Sequence, residues 1–136
     1  MGDNMGVLIG VDYGHKKLGF AVGQTVTGNA RPLTIVAQNG GMWQKIDAIF
    51  NEWQPQAVII GEPKLADGKP HPLEKLIENF INDLKKRYNA AIYRENEALT
   101  SFEASSYQQG GERHQPVDAY AAALILESWM RCNNIK

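Results

Sequence analysis

Apolar residues fill positions 7–11 without a break, Val7-Leu-Ile-Gly-Val11. A run with no polar face predicts a central strand covered on both sides. Gly14-His15-Lys16-Lys17 makes a turn, and Leu18-Gly-Phe-Ala-Val22 returns antiparallel, so strands are expected over 7–12 and 18–24, followed by a third over 30–37. The period then lengthens: Trp43, Ile46, Ile49, Phe50 and Trp53 keep helical spacing and stop before Pro55. Ala57-Val-Ile-Ile-Gly61 reads as a buried parallel strand. Leu73, Leu76, Ile77, Phe80, Ile81, Leu84 and Tyr88 form a sustained helical stripe, with Pro72 acceptable in its first turn. A fifth short strand covers 90–93. Thr100-Ser-Phe-Glu103 is a capping box opening a helix that ends at Gly110-Gly111, and a last helix runs from near Pro116 to about Arg131.

Three antiparallel strands feeding into βαβ units predict an α/β fold: a five-stranded mixed sheet with helices on both faces. With 136 residues, 43% of them hydrophobic, and no internal repeat, residues 1–136 are expected to form a single domain. Ligands of such sheets bind outside the carboxyl ends of the strands. The loop 63–70, rich in Gly, Pro and Lys, is expected to lie over that end.

Composition narrows the chemistry. One cysteine, Cys132, excludes an intramolecular disulfide framework and suits a reducing cytosol. The first residues have no basic n-region and no long apolar h-region, and no segment is long enough to span a membrane, so a cytoplasmic location without membrane contact is expected. A net charge of −1 means that a nucleic-acid partner would be met by a local basic patch. Lys16, Lys17, Arg31, Lys64 and Lys69 are the candidates for phosphate contacts, though ordinary surface lysines would look the same. His15 is a weaker candidate, as a proton shuttle. Trp43 and Trp53 are read as core.

The acids are more telling. Asp12 ends the first strand, Glu62 follows the fourth, and Glu95 and Glu97 follow the fifth, so all are expected along one edge of the sheet. In the last helix Asp118, Ala122, Ile125 and Trp129 share one stripe at i, i+4, i+7 and i+11, which places an acid on the sheet-facing apolar side. An acid in a first helical turn is also favoured by the dipole alone, but that accounts only for an exposed one. Asp12 could likewise be a turn-capping residue. Crowded carboxylates repel one another unless a cation neutralises them. With no histidine or cysteine pair at ligand spacing, an all-oxygen cluster favours Mg²⁺ or Mn²⁺, and through it phosphoryl chemistry.

Taken together, Gly10-Val-Asp-Tyr-Gly14, Leu18-Gly-Phe-Ala-Val-Gly23, Gly28-Asn-Ala-Arg-Pro32, Gly61-Glu-Pro63 with Asp67-Gly68, Asn96-Glu-Ala-Leu-Thr100 with Glu103-Ala104, and Val117-Asp118 with Ala121-Ala122 and Ile125-Leu-Glu127 resemble the YqgF/RuvX family of RNase H-like nucleases. The similarity covers nearly the whole chain. It implies an RNase H-like fold and a catalytic carboxylate triad at Asp12, Glu97 and Asp118. It also implies activity on nucleic acid: maturation of the 5′ end of pre-16S ribosomal RNA in ribosome biogenesis, or resolution of Holliday junctions in recombination and repair. Ribosome association would accompany the first. Resemblance to two-metal phosphodiesterases implies that Asp12 bridges ions about 3.5–4 Å apart while Glu97 and Asp118 each complete one ion's coordination.

Two positions depart from the family pattern. Its Asp-Glu-Arg after the fifth strand is here Asn96-Glu97-Ala98, and the middle of its Gly-x-Pro, usually apolar, is Glu62. Glu62 is either a fourth metal ligand or a salt-bridge partner of Lys64 or Lys69. Two other classes stay open: an ATP-binding module of the actin, hexokinase and Hsp70 type, which would need a second domain, and a non-catalytic nucleic-acid-binding domain. RNA or DNA, endonuclease or exonuclease, monomer or dimer are left undecided by the sequence.

Overall fold

In the computed structural model residues 6–62, 73–96 and 119–133 are described, with the backbone alone at Glu62 and Asn96. Strand β1 (Val7–Tyr13) is the middle of a five-stranded sheet ordered β3-β2-β1-β4-β5, where β2 is Lys17–Gln24, β3 Asn29–Ala37, β4 Ala57–Glu62 and β5 Ala91–Asn96. The pairs β1–β2 and β2–β3 are antiparallel, β1–β4 and β4–β5 parallel. The unbroken apolar run of the sequence has its cause here: β1 is buried from Leu8 to Tyr13 because both faces are covered.

Alternation divides the strand between two cores. Ile9, Val11 and Tyr13 join Val58 and Ile60 of β4 against helices α1 (Met42–Trp53) and α2 (Glu74–Arg87). Leu8, with Ala57 and Ile59, packs on helix α3 (Ala119–Cys132), as do Gly10 and, by period, Asp12. The larger core is fastened at its far end by Phe50 and Tyr88, whose rings stack at 3.9 Å, and by the Tyr88 hydroxyl, which donates to Asp47. Arg87 lies over the Trp43 ring at 4.3 Å. Leu76, read from the sequence as part of the α2 stripe, is 39% exposed. It stands about 100° around the helix from Ile77 and falls off the edge of the buried face.

Strand β5 extends to Asn96, past the expected end at 93, because its ladder with β4 continues to the Glu62↔Asn96 pair. Arg94 and Glu95 are satisfied on opposite faces: Arg94 pairs with Glu74 of α2 at 2.9 Å, and Glu95 accepts a hydrogen bond from Ser128 of α3 at 2.6 Å. Glu95 therefore belongs to the strand and does not follow it. The expected helix over 100–111, the loop 63–70 and the start of the last helix near Pro116 lie outside the described residues; α3 is described from Ala119.

Candidate functional site

Asp12 is 6% exposed, one of two buried polar residues among those described. A carboxylate so sheltered is expensive to hold charged unless its surroundings supply compensation. Its neighbours on the sheet lack side chains: Gly19 pairs with it on β2, and one register step beyond the Val11↔Ile60 pair stands Gly61 on β4. Glycines on both sides leave the carboxylate approachable along the sheet surface.

Helix α3 is aimed at this residue. A Cβ on Gly10 would meet the Ala122 carbonyl oxygen at 2.7 Å, and one on Gly23, beside Leu8, would meet Leu126 at 2.8 Å and Met130 at 3.3 Å. The helix thus runs antiparallel to β1, with Ala122 over Gly10 and Met130 near the strand's beginning. From Ala122 back to Ala119, the first described residue of the helix, is about 4.5 Å of rise, which brings that residue towards the level of Asp12. Hydrogen bonds help hold the helix in place: the Ala30 N–H donates to the Glu127 carboxylate at 3.0 Å, and Ser128 to Glu95. The Glu95–Ser128 contact was not foreseen from the sequence, since no periodicity marks one acid and one serine on separate elements as partners.

The basic turn between β1 and β2 is at the same end. His15, Lys16 and Lys17 are exposed, and Lys17 starts β2 on the α3 side, two residues before Gly19. The turn is pinned, which fixes where its charges stand: the Gly14 N–H donates to the Lys17 carbonyl at 3.0 Å, the Gln38 N–H to the Lys16 carbonyl at 2.8 Å, and the Gln38 amide to the Gly14 carbonyl at 2.5 Å.

Arg31 is not brought here. It pairs with Val22, which pairs with Ile9, so it sits three residues from the level of Asp12 and two strands away. It also lies on the α1 side of the sheet, its guanidinium 5.4 Å from the centre of the Trp53 ring. The register thus separates Arg31 from Lys16 and Lys17: it shares a face with Val22 and Ile9, and Asp12 has the other. Trp43 and Trp53 pack against the larger core, as read from the sequence. Glu97, Asp118, Lys64 and Lys69 lie outside the described residues, and Glu62 is described by its backbone, which closes β4 opposite Asn96. Among the described residues no three histidine, cysteine or carboxylate side chains gather to hold a metal, and no helix is long and apolar enough to cross a membrane.

A family model described as "RuvX: Holliday junction resolvase" matches residues 6–132. A protein of Pseudomonas savastanoi pv. phaseolicola, described as a candidate pre-16S rRNA nuclease, is 44% identical over 132 residues, which span 91% of this chain and 90% of that one. One of Pseudomonas fluorescens with the same description is 44% identical over 135 residues, 93% of each. Among solved structures, Thermus thermophilus RuvC in complex with a Holliday junction substrate superposes with a TM-score of 0.54 at 16% identity, covering 94% of this chain and 95% of that one. The fowlpox virus resolvase with junction DNA gives 0.55 at 14%, covering 93% and 98%. At such identities the likeness concerns the fold, which is that of the RuvC-like, RNase H-like resolvases.

Proposed function

This chain belongs to the RuvX family, and from that premise we propose that it is a divalent-metal-dependent nuclease that cleaves phosphodiester bonds of pre-16S ribosomal RNA near its 5′ end. The observation that carries the reading is Asp12: a carboxylate 6% exposed, between two glycines, at the end of the sheet where a pinned basic turn stands and towards which the described part of α3 runs. Asp12 stands near the carboxyl end of β1, and ligands of open α/β sheets bind outside the carboxyl ends of the strands.

In this reading Asp12 acts with Glu97, next in sequence to the last described residue of β5, and Asp118, next in sequence to the first described residue of α3. Both elements have those described residues at the Asp12 end of the sheet, β5 because it is parallel to β1 through β4, α3 because it is antiparallel to β1. Three carboxylates form an all-oxygen donor set, which fits Mg²⁺ or Mn²⁺ and not zinc. Such an ion, when bound, supplies charge neutralisation to the phosphoryl oxygens and acidifies water. Lys16 and Lys17, held by the turn, bind phosphates beside the cut. Lys64 and Lys69 are assigned the same task.

The family description favours a second substrate, the four-way DNA junction. A cleavage assay with Mn²⁺ that compares a 5′-extended ribosomal precursor with a synthetic junction decides between them. Asp12→Asn should lower turnover on the true substrate by more than about 100-fold, since loss of groups that merely support metal ligands already costs 10–100-fold. Calorimetry should show weakened Mn²⁺ binding in the same variant. Equal turnover and equal Mn²⁺ affinity in wild type and variant would overturn the assignment.

A further inference from the structure

Away from Asp12, the β2–β3 end of the sheet holds a groove of about 180 Å³ whose lining includes Gln24, Thr27, Asn29, Arg31 and Trp53. Among the described residues no carboxylate lines it and Arg31 makes no ion pair. The guanidinium is instead laid over the Trp53 ring, 5.4 Å from its centre, an arrangement that orients the charge without neutralising it. Thr27 Oγ accepts the Asn29 N–H at 3.2 Å, so the hydroxyl proton is left to donate elsewhere, beside the amide groups of Gln24 and Asn29.

The identity of residue 53 adds a second indication. Its indole Nε1 is buried and has no hydrogen-bond partner. Such an orphan donor costs about 1–3 kcal/mol, and a phenylalanine would cover the same apolar surface without it. What tryptophan provides beyond phenylalanine is the strongest face for a cation.

We propose that this groove is a subsite for the phosphodiester backbone of the substrate's flank, with Arg31, oriented by Trp53, as its anchoring charge. A planar guanidinium backed by hydroxyl and amide donors matches phosphate oxygens. The groove is separated from Asp12 by three residues along the strands and two strands across, roughly 14 Å in the plane of the sheet, and lies on its other side. At about 3.4 Å per step along a strand, it meets the nucleic acid at least about four nucleotides from the cut, where the chain has rounded the β3 edge. The inference rests on the nuclease reading but concerns binding alone.

The test is fluorescence anisotropy without divalent metal, over a range of salt, with two labelled probes: a blunt RNA stem and the same stem with a long single-stranded extension. Arg31→Ala should make the log–log salt slope on the extended probe shallower by about 0.7 and leave the blunt probe unchanged. Trp53→Phe should weaken the extended probe several-fold with the slope retained, and circular dichroism checks that both variants fold. Identical slopes for wild type and Arg31→Ala on the extended probe would overturn the subsite. So would equal losses on both probes, which would make Arg31 a general contributor to the surface field. Wild type that binds neither probe would remove the nuclease reading and the subsite with it, whereas wild type that binds and is indifferent to Arg31 removes the subsite alone.

Discussion

Gly10→Ala tests whether the close approach of α3 to β1 is what brings the helix to Asp12. The added Cβ would stand 2.7 Å from the Ala122 carbonyl oxygen and 3.1 Å from the Leu126 Cβ. The first is a backbone atom of the helix, which cannot rotate away. Carbon–oxygen contacts in proteins settle at about 3.3 Å or more, so the helix must retreat by about 0.6 Å. Overpacking of this kind costs about 1–3 kcal/mol. For a chain of this length that is a fall in Tm of roughly 4 °C per kcal/mol. Because the retreat moves α3 relative to Asp12, turnover measured well below Tm should also drop, by up to about 100-fold for a displacement approaching 1 Å. Gly23→Ala is the control. There the nearest atoms, Leu126 Cδ2 at 2.8 Å, Leu126 Cγ at 3.2 Å and Met130 Cε at 3.3 Å, all belong to side chains and not to the helix backbone, so a loss at the low end of that range, about 1 kcal/mol, with near-normal turnover is expected. Urea titration with an unchanged m-value measures the stability of both variants. A Gly10→Ala protein as stable and as active as wild type, or one less affected than Gly23→Ala, would refute the reasoning.

Three further outcomes are expected. Ser128→Ala removes the hydroxyl that donates to Glu95 at 2.6 Å and should cost about 1–3 kcal/mol by urea titration, a neutral result meaning that the contact does not hold α3 to β5. Burial and the hydrogen bond to Asp47 raise the Tyr88 pKa above its ordinary 10.0, so the folded state keeps a proton that the unfolded chain loses; wild-type stability should therefore fall as pH rises above 10, while Tyr88→Phe, weaker by about 0.5–1.5 kcal/mol at neutral pH, should lack that decline and cleave normally, parallel pH profiles refuting the assignment. Glu62→Gln should leave the single-turnover rate within about threefold of wild type, under 1 kcal/mol in barrier, if Glu62 serves a surface pair, and a larger loss would make it a fourth ligand.

The comparison of chain and fold is clearest at β1 and α3. Positions 8–11 are apolar because they are buried from both sides, and that requirement is written directly into consecutive residues. The same holds for Ile46, Ile49 and Phe50 in α1, and for Ile77, Phe80, Ile81 and Leu84 in α2, where one apolar stripe records one covered face. The five-stranded mixed sheet followed as well, since hairpins and βαβ crossovers leave few ways to arrange five strands, while their order came from the structure. Asp12 as a placed acid was legible for the same reason, a charge interrupting a run that otherwise tolerates none.

Arg31 shows what such patterns cannot convey. Along the chain it is one more cation near a strand, equivalent to Lys17. Only the pairing of Arg31 with Val22, beyond a register shift between Phe20 and Ala21, assigns it to the α1 side, over Trp53 and away from Asp12. The Glu95–Ser128 and Ala30–Glu127 contacts are of the same kind, joining residues 33 and 97 positions apart. Burial is a property each residue carries in its own chemistry, so the sequence by itself determined the elements, their covered faces and the sheet. Which polar groups meet depends on register and on the spacing between helix and sheet, and those were decided only when distant segments packed against one another.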